Sequence, residues 1–154
     1  MDPRIRRLAA DHQEVTTAFA DHPHIRVLET HGSPAERYII EYKLTGLVPT
    51  DDDSFDRGTS HKAEIMLLLD YPRRPPFCRM LTPVFHPNID PQKICIGDHW
   101  SADQSLAQLI ARIGEMIAYQ SYNVKSPLNG KAAAWAEAHA EQLPLQEVDL
   151  TITV

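Results

Sequence analysis

Residues 71–96 read YPRRPPFCRMLTPVFHPNIDPQKICI, and this stretch decides how the chain is organised. Pro72, Pro75, Pro76, Pro83 and Pro87 each fix φ and remove a backbone donor, which leaves room for only a short strand between Phe77 and Leu81. No helical period runs from His86 to Trp100, so Cys95 is expected on a long irregular segment, and long ordered loops often carry function. Cys78 falls in the proline-flanked strand and reads as a small buried residue.

Upstream, Ile5, Leu8, His12, Val15 and Phe19 recur at spacings of three and four, which predicts a helix with one inward stripe, capped by Asp2 and opened by Pro3. Arg4, Arg6 and Arg7 crowd its start, where the helix dipole does not favour cations; they read either as a solvated face or as a partner surface. The period then changes to two. Strands are predicted at Ile25 to Leu28, at Arg37 to Leu44 after a turn at Gly32, Ser33 and Pro34, and at Lys62 to Leu69, so three strands precede Tyr71. The acidic stretch from Pro49 to Ser60, with Asp51, Asp52, Asp53 and Asp56, lacks the glycine and closing glutamate of a calcium loop and reads as a solvated connection.

Downstream, Leu106, Leu109, Ile110, Ile113, Met116 and Ile117 define a second helix with Ser101 or Asp103 as its cap. Asn129 caps a last helix built on Ala132, Ala133, Trp135, Ala136 and His139, which Pro144 ends at the latest. Val148, Leu150, Ile152 and Val154 alternate with polar neighbours and predict a terminal strand able to pair with the sheet or with a partner. The expected organisation is an α+β domain over residues 1–142 with an extension over 143–154.

The chain has 154 residues, 43% of them apolar and 23% charged, which suits one folded domain and argues against extensive disorder. Its formal charge of −6, from 15 basic and 21 acidic residues, has the wrong sign for a nucleic-acid binder. The longest apolar run, Ile65 to Leu69, is far too short to span a bilayer, and no secretory leader is read at the start, so a cytoplasmic protein without a membrane partner is expected. Two cysteines are too few for a disulfide framework. Cys78, His86, Cys95 and His99 lie close together but contain no C-x₂₋₄-C or H-x₃₋₅-H pair, so no metal site is expected.

Tyr71-Pro72 with Pro75-Pro76, then His86-Pro87-Asn88-Ile89, then Ile94-Cys95-Ile96 come in the order found in ubiquitin-conjugating (E2) enzymes, and Trp100-Ser101 and Ser126-Pro127-Leu128 extend the likeness. Over residues 1–142 the chain resembles that family. The resemblance implies the E2 fold: an N-terminal helix, a four-stranded antiparallel meander, a cysteine-bearing loop, then a central and a C-terminal helix. The segments from Asn88 to Cys95 and from Cys95 to Trp100 are shorter than in familiar eukaryotic members. Arg73 and Ala102-Asp103 replace the aromatic and the Pro-Ala pair that RING-binding members use, so a RING ligase is not expected as a partner. These departures resemble divergent bacterial E2-like proteins of ubiquitin-like conjugation operons, some of them linked to anti-phage defence.

The resemblance also implies a chemistry. Cys95 accepts the C-terminal carbonyl of a ubiquitin-like protein from an E1 activating enzyme as a thioester, and an acceptor lysine then takes it; no cofactor is needed. A thiol suits both steps, being a far better nucleophile than a serine hydroxyl and leaving a reactive acyl group. Asn88 either donates to the tetrahedral oxyanion or pins the Cys95 loop. His86 is implied to be structural, with Pro87 constraining the turn. Ser126 stands where many members place an acidic residue beside the incoming amine, so charge there would have to come from Asp90, Asp98 or the substrate. Tyr122, Asn123 and Trp100 flank the site, and Arg4, Arg6 and Arg7 are expected to dock on the E1. The rival reading is a non-catalytic adaptor that binds a ubiquitin-like protein or an E1 or E2 partner; such variants usually lack the cysteine. The neighbouring genes would discriminate the two.

Overall fold

The computed structural model describes residues 2–90, 92–96 and 100–153. Helix α1 runs Pro3–Phe19; the Asp2 carboxylate accepts the Arg4 backbone N–H at 2.7 Å and Pro3 sits in the first turn, as the sequence predicts. Strands β1 (Ile25–His31), β2 (Arg37–Tyr42), β3 (Gly46–Pro49), β4 (Phe55–Gly58), β5 (His61–Met66) and β6 (Phe77–Met80) follow. The main sheet has the antiparallel order β1-β2-β5-β6, with Tyr38 opposite Ile65 and Ile65 opposite Cys78.

Five strands therefore precede Tyr71 rather than three. The acidic stretch is partly a separate hairpin, β3 with β4, whose turn closes with Thr50 N–H donating to the Ser54 carbonyl at 3.0 Å. Its apolar content is too thin for a periodicity test: Leu47 is buried, while Phe55 stacks on Phe85 at 4.9 Å and meets Trp135 edge-on at 5.2 Å. A second short hairpin, β7 (Ile89–Asp90) with β8 (Lys93–Ile94), interrupts the segment read as irregular. Two-residue strands leave no recurring pattern to detect.

Helix α2 (Leu106–Ile117) buries the six residues expected of it, but it is capped by Ser105, whose hydroxyl accepts the Gln108 N–H at 3.1 Å. The helix starts about a turn later than a Ser101 cap and about half a turn later than an Asp103 cap would place it, and those two side chains bond to each other instead. Asn129 caps α3 (Gly130–Ala138) as predicted, accepting the Ala132 N–H at 3.0 Å, and a 3₁₀ turn at Ala140–Gln142 follows. One core joins Leu8, Val15 and Phe19 of α1 to Tyr38, Ile40, Tyr42 and Ile65 of the sheet and to Ile110, Ile113 and Ile117 of α2.

The predicted terminal strand is not formed: residues 147–153 pair with no strand. The alternation still expresses itself, because Leu150 is buried and Val148 and Ile152 pack on the core. Gly114 supplies the room, since a Cβ there would lie 3.1 Å from Leu150 Cδ1 and 3.2 Å from Tyr42 Cδ1. Side chains replace a ladder: the Gln120 amide donates to the carbonyls of Gln146 (3.2 Å) and Val148 (3.0 Å), and the Thr45 N–H donates to Gln146 Oε1 (2.6 Å). Among the described residues, no helix is long and apolar enough to cross a membrane.

Candidate active site

Three consecutive residues organise the centre. His86 is fully buried; its Nδ1 accepts the Asn88 N–H at 3.0 Å, so the ring hydrogen sits on Nε2 and is donated to the Ser121 carbonyl at 3.2 Å. Burial pushes its pKa down to about 4, against the pull of the Ser121 carbonyl, and the ring lies 4.7 Å from that of Tyr119. A neutral imidazole with both nitrogens engaged is a structural group, and it is unavailable as a base or as a metal ligand. Pro87 contributes its carbonyl, which accepts the N–H groups of Leu128 (2.8 Å) and Asn129 (3.1 Å) just ahead of α3.

Asn88 completes the spine. Its Nδ2 donates to the Asn123 carbonyl and its Oδ1 accepts the Asn123 N–H, both at 2.8 Å, while its own carbonyl accepts the Cys95 N–H at 2.9 Å. A backbone N–H can only donate and a carbonyl can only accept, so these partners fix the amide's orientation. His86, Pro87 and Asn88 thus hold residues 121–129 on one side and Cys95 on the other. Asn123 Oδ1 in turn accepts the Lys125 N–H at 2.8 Å, which shapes the bend into Ser126, an exposed residue at φ 52°. Tyr122 is half-buried against Tyr119, its ring 5.6 Å away, and packs rather than projects.

Cys95 and Cys78 are both free thiols in different surroundings. Cys78 is buried in β6, and burial pushes its thiol pKa well up. Cys95 is half-buried, follows the buried Ile94 and precedes the buried Ile96, so it and Lys93 face outward together. They open on a cavity of about 160 Å³ that is also lined by Pro75, Pro76, Phe77 and the buried Cys78. Arg112 on α2 donates to the Ile96 carbonyl at 3.0 Å and holds the chain just past the thiol. The sequence reading does not single out Arg112, although its place as the lone cation of α2, between Ala111 and Ile113, is an available signal.

A second cluster anchors the far end of the cysteine segment. Arg7 donates from Nε to Asp11 (2.9 Å) and from Nη2 to Tyr71 Oη (3.1 Å) and the Gln104 carbonyl (2.7 Å), and also reaches the Ala102 carbonyl. Tyr71 donates to Asp11 at 2.6 Å, and Trp100, its ring 5.9 Å from Tyr71, donates from Nε1 to the Pro72 carbonyl at 2.8 Å. Burial pushes the Asp11 carboxyl up despite the opposing pull of Tyr71 and Arg7. The three arginines are therefore not equivalent. Arg4 is also tied inward, to the Leu67 and Leu68 carbonyls at 3.2 and 2.9 Å, and only Arg6 is fully exposed. Asp11 was missed as well; its place four residues after Arg7 on α1 was the clue.

Asp90 accepts the Gln92 N–H at 2.8 Å within the β7–β8 turn; Asp98 and His99 lie outside the described residues, as does Val154. Among the described residues, no three His, Cys, Asp or Glu side chains come together as metal ligands.

An N-terminal helix, a four-stranded antiparallel meander, and an outward cysteine beside a buried His-Pro-Asn spine define the α+β class of ubiquitin-conjugating folds. The family described as ubiquitin-conjugating enzyme matches residues 16–147, and the chain belongs to that family. It is 30% identical over 106 residues to ubiquitin-conjugating enzyme E2 3 of Arabidopsis thaliana, covering 66% of this chain and 68% of that one. It is also 30% identical over 87 residues to the NEDD8-conjugating enzyme ubc12 of Schizosaccharomyces pombe, covering 54% of this chain and 48% of that one. The chain thus spans about two thirds of the first relative's length and about half of the second's. Both relatives are eukaryotic.

Proposed function

We propose that the chain carries a ubiquitin-like protein as a thioester on Cys95, taking it from an E1-type activating enzyme and passing it to a lysine amine. The observation that carries this reading is the contrast between the two thiols: Cys78 is buried in the sheet beneath the groove they both line, while Cys95 is only half-buried there, at the end of the His-Pro-Asn spine. In the first step the Cys95 thiolate attacks the E1-bound acyl carbon; a new C–S bond forms and the E1 thiolate leaves. In the second, the neutral amine attacks the same carbon, a C–N bond forms, the C–S bond breaks with Cys95 leaving as thiolate, and the proton lost by nitrogen passes to water.

Asn88 acts first as a positioning residue, because its Oδ1 and one Nδ2 hydrogen are committed to Asn123. The second Nδ2 hydrogen is the donor that meets an oxyanion formed at Cys95. His86 holds the spine together and moves no proton. Ser126 orients the amine through its hydroxyl and supplies no charge. Arg6, the exposed member of the α1 arginines, is the contact through which an acidic E1 surface is recognised, and no RING ligase takes part.

Nothing in the geometry favours the adaptor reading, since an adaptor has no use for an accessible thiol held at its backbone from two sides. The bacterial operon setting belongs to this proposal too, and adjacent genes for an adenylating enzyme and a ubiquitin-like protein support it where found. The test is charging. With the cognate activating enzyme, ATP and ubiquitin-like protein, the wild type forms a reductant-sensitive adduct, Cys95→Ala forms none, and Cys95→Ser traps a reductant-resistant, alkali-labile ester. A Cys95→Ala protein that still charges in a reductant-sensitive way refutes the assignment.

A further inference from the structure

The chain is poor in lysine. Of its 15 basic side chains ten are arginine and five are lysine: Lys43, Lys62, Lys93, Lys125 and Lys131. Lys131 is paired with Asp53 at 2.7 Å, Lys62 is exposed on β5, and Lys43 lies just past β2. Lys93 alone shares the Cys95 groove. The exposure pattern through Lys93, Ile94, Cys95 and Ile96 alternates, so the two outward side chains leave the backbone on the same face. Their Cα atoms are then about 6–7 Å apart at strand spacing. A lysine's four methylenes cover that distance, and the Lys93 amine is carried to the acyl carbon of anything bound to the Cys95 sulfur.

We infer that Lys93 is an acyl acceptor in cis: an acyl group left on Cys95 moves to the Lys93 amine and caps the protein as an amide. The inference rests on Cys95 being the acyl carrier. The free amine attacks the thioester carbonyl; the C–N bond forms, the C–S bond breaks, and the proton lost by nitrogen passes to the departing Cys95 thiolate. No oxidant or further reactant is needed. Only the neutral form of an amine attacks an acyl carbon, so the transfer is slow at neutral pH and quickens as pH rises. A charged protein that meets an acceptor promptly escapes the reaction. One that waits is closed permanently, its groove occupied by the amide-linked chain.

The experiment needs no cognate partner. A synthetic peptide ending in Gly-Gly, supplied as its mercaptoethanesulfonate thioester, exchanges onto accessible thiols, and with Cys78 buried only Cys95 is loaded. After removal of excess peptide, the adduct is followed by intact mass before and after reductant. The reductant-labile species should convert into a reductant- and alkali-resistant one that maps to Lys93. The half-time should be unchanged by tenfold dilution of the protein and should shorten as pH is raised from 7 to 9. Lys93→Arg, which keeps the cation, should lower the resistant fraction at least tenfold at equal thioester loading, whereas Lys62→Arg leaves it as in the wild type. Conversion that depends on protein concentration, maps to Lys125, or survives Lys93→Arg overturns the inference. So does the absence of conversion at pH 9. A protein that loads Cys95 without forming the amide overturns this inference alone and leaves the proposed function standing; one that cannot be loaded at all overturns both.

Discussion

Asn88→Ala separates the two roles assigned to that side chain. The substitution removes the reciprocal pair at 2.8 Å that binds Asn123 and leaves the Asn88 carbonyl bond to Cys95 untouched, because that bond belongs to the backbone. Each bond contributes ~0.5–1.5 kcal/mol net, so about 1–3 kcal/mol of stability is lost. Asn123 is exposed and water can replace both partners of its backbone, which favours the lower half of that range. For a domain of this size the midpoint of thermal unfolding falls by about 2–8 °C. Hydrogen exchange in residues 121–129 should accelerate, while the core amides of β2 and β5 stay protected. Discharge of the thioester to free lysine is measured well below the unfolding midpoint, in a single turnover. If the spare Nδ2 hydrogen also meets the oxyanion, discharge slows by ~10²–10³, equivalent to about 2.7–4 kcal/mol. A variant with an unchanged unfolding free energy and unchanged exchange in 121–129 refutes the pinning argument, whatever its rate.

Removing Arg7 leaves the buried Asp11 without its cation and with Tyr71 as a remaining partner, so Arg7→Ala should cost about 3 kcal/mol in urea unfolding, whereas the exposed Arg6→Ala stays within ~0.5 kcal/mol; equal costs would refute the inward assignment. Arg6→Glu should instead slow charging by the activating enzyme at low salt and converge on the wild-type rate as salt rises. Leu150→Ala should lose about 2–5 kcal/mol, and deleting residues 147–154 at least as much; a neutral deletion would show that the tail does not belong to the core. His86 has its folded pKa lowered to about 4, below its unfolded value near 6.5, so the unfolded chain binds the extra proton in that window. Its contribution is present in full above about pH 6.5 and is lost as pH falls toward 4, by up to about 3 kcal/mol. His86→Gln should therefore show a shallower fall in stability between pH 6.5 and 4 than the wild type, and identical slopes would exclude the buried neutral ring.

The parts of the fold that the sequence made legible are those whose signal repeats. Leu106 to Ile117 and Pro3 to Phe19 each show several turns of one apolar stripe, and both helices form. The β3–β4 hairpin and the two-residue β7 and β8 give no run long enough for a period, and Phe55 of the first packs on Phe85 and Trp135, which lie far away in the chain. The C-terminal segment shows where periodicity misleads. Val148, Leu150 and Ile152 alternate because one side of an extended segment is buried, and that holds whether or not its backbone finds a sheet edge. Around Cys95, His86 and Asn88 could be singled out from the sequence as residues, but their bonds to Ser121 and Asn123 could not, since those partners are 35 positions away. Arg7 and Arg4 were read from their charge, yet their heads end on main-chain carbonyls, which sequence does not show.

That use of carbonyls makes the position of the cysteine segment depend little on its own side chains. The segment carrying Cys95 is held through its main chain: the Cys95 N–H by Asn88, the Ile96 carbonyl by Arg112, and the Ala102 and Gln104 carbonyls by Arg7. A segment fixed in this way is indifferent to most of its own side chains, because every residue offers the same carbonyl and all but proline the same N–H. Selection can then act only on the groups that provide the outer half of each bond and on the sulfur itself. The short β7–β8 hairpin fits the same logic, since it lets the chain turn within a few residues and still present the Cys95 N–H to the Asn88 carbonyl. Altering Arg112 or Asn88 should therefore disturb the position of Cys95 more than any substitution at its immediate neighbours that keeps Ile94 and Ile96 apolar.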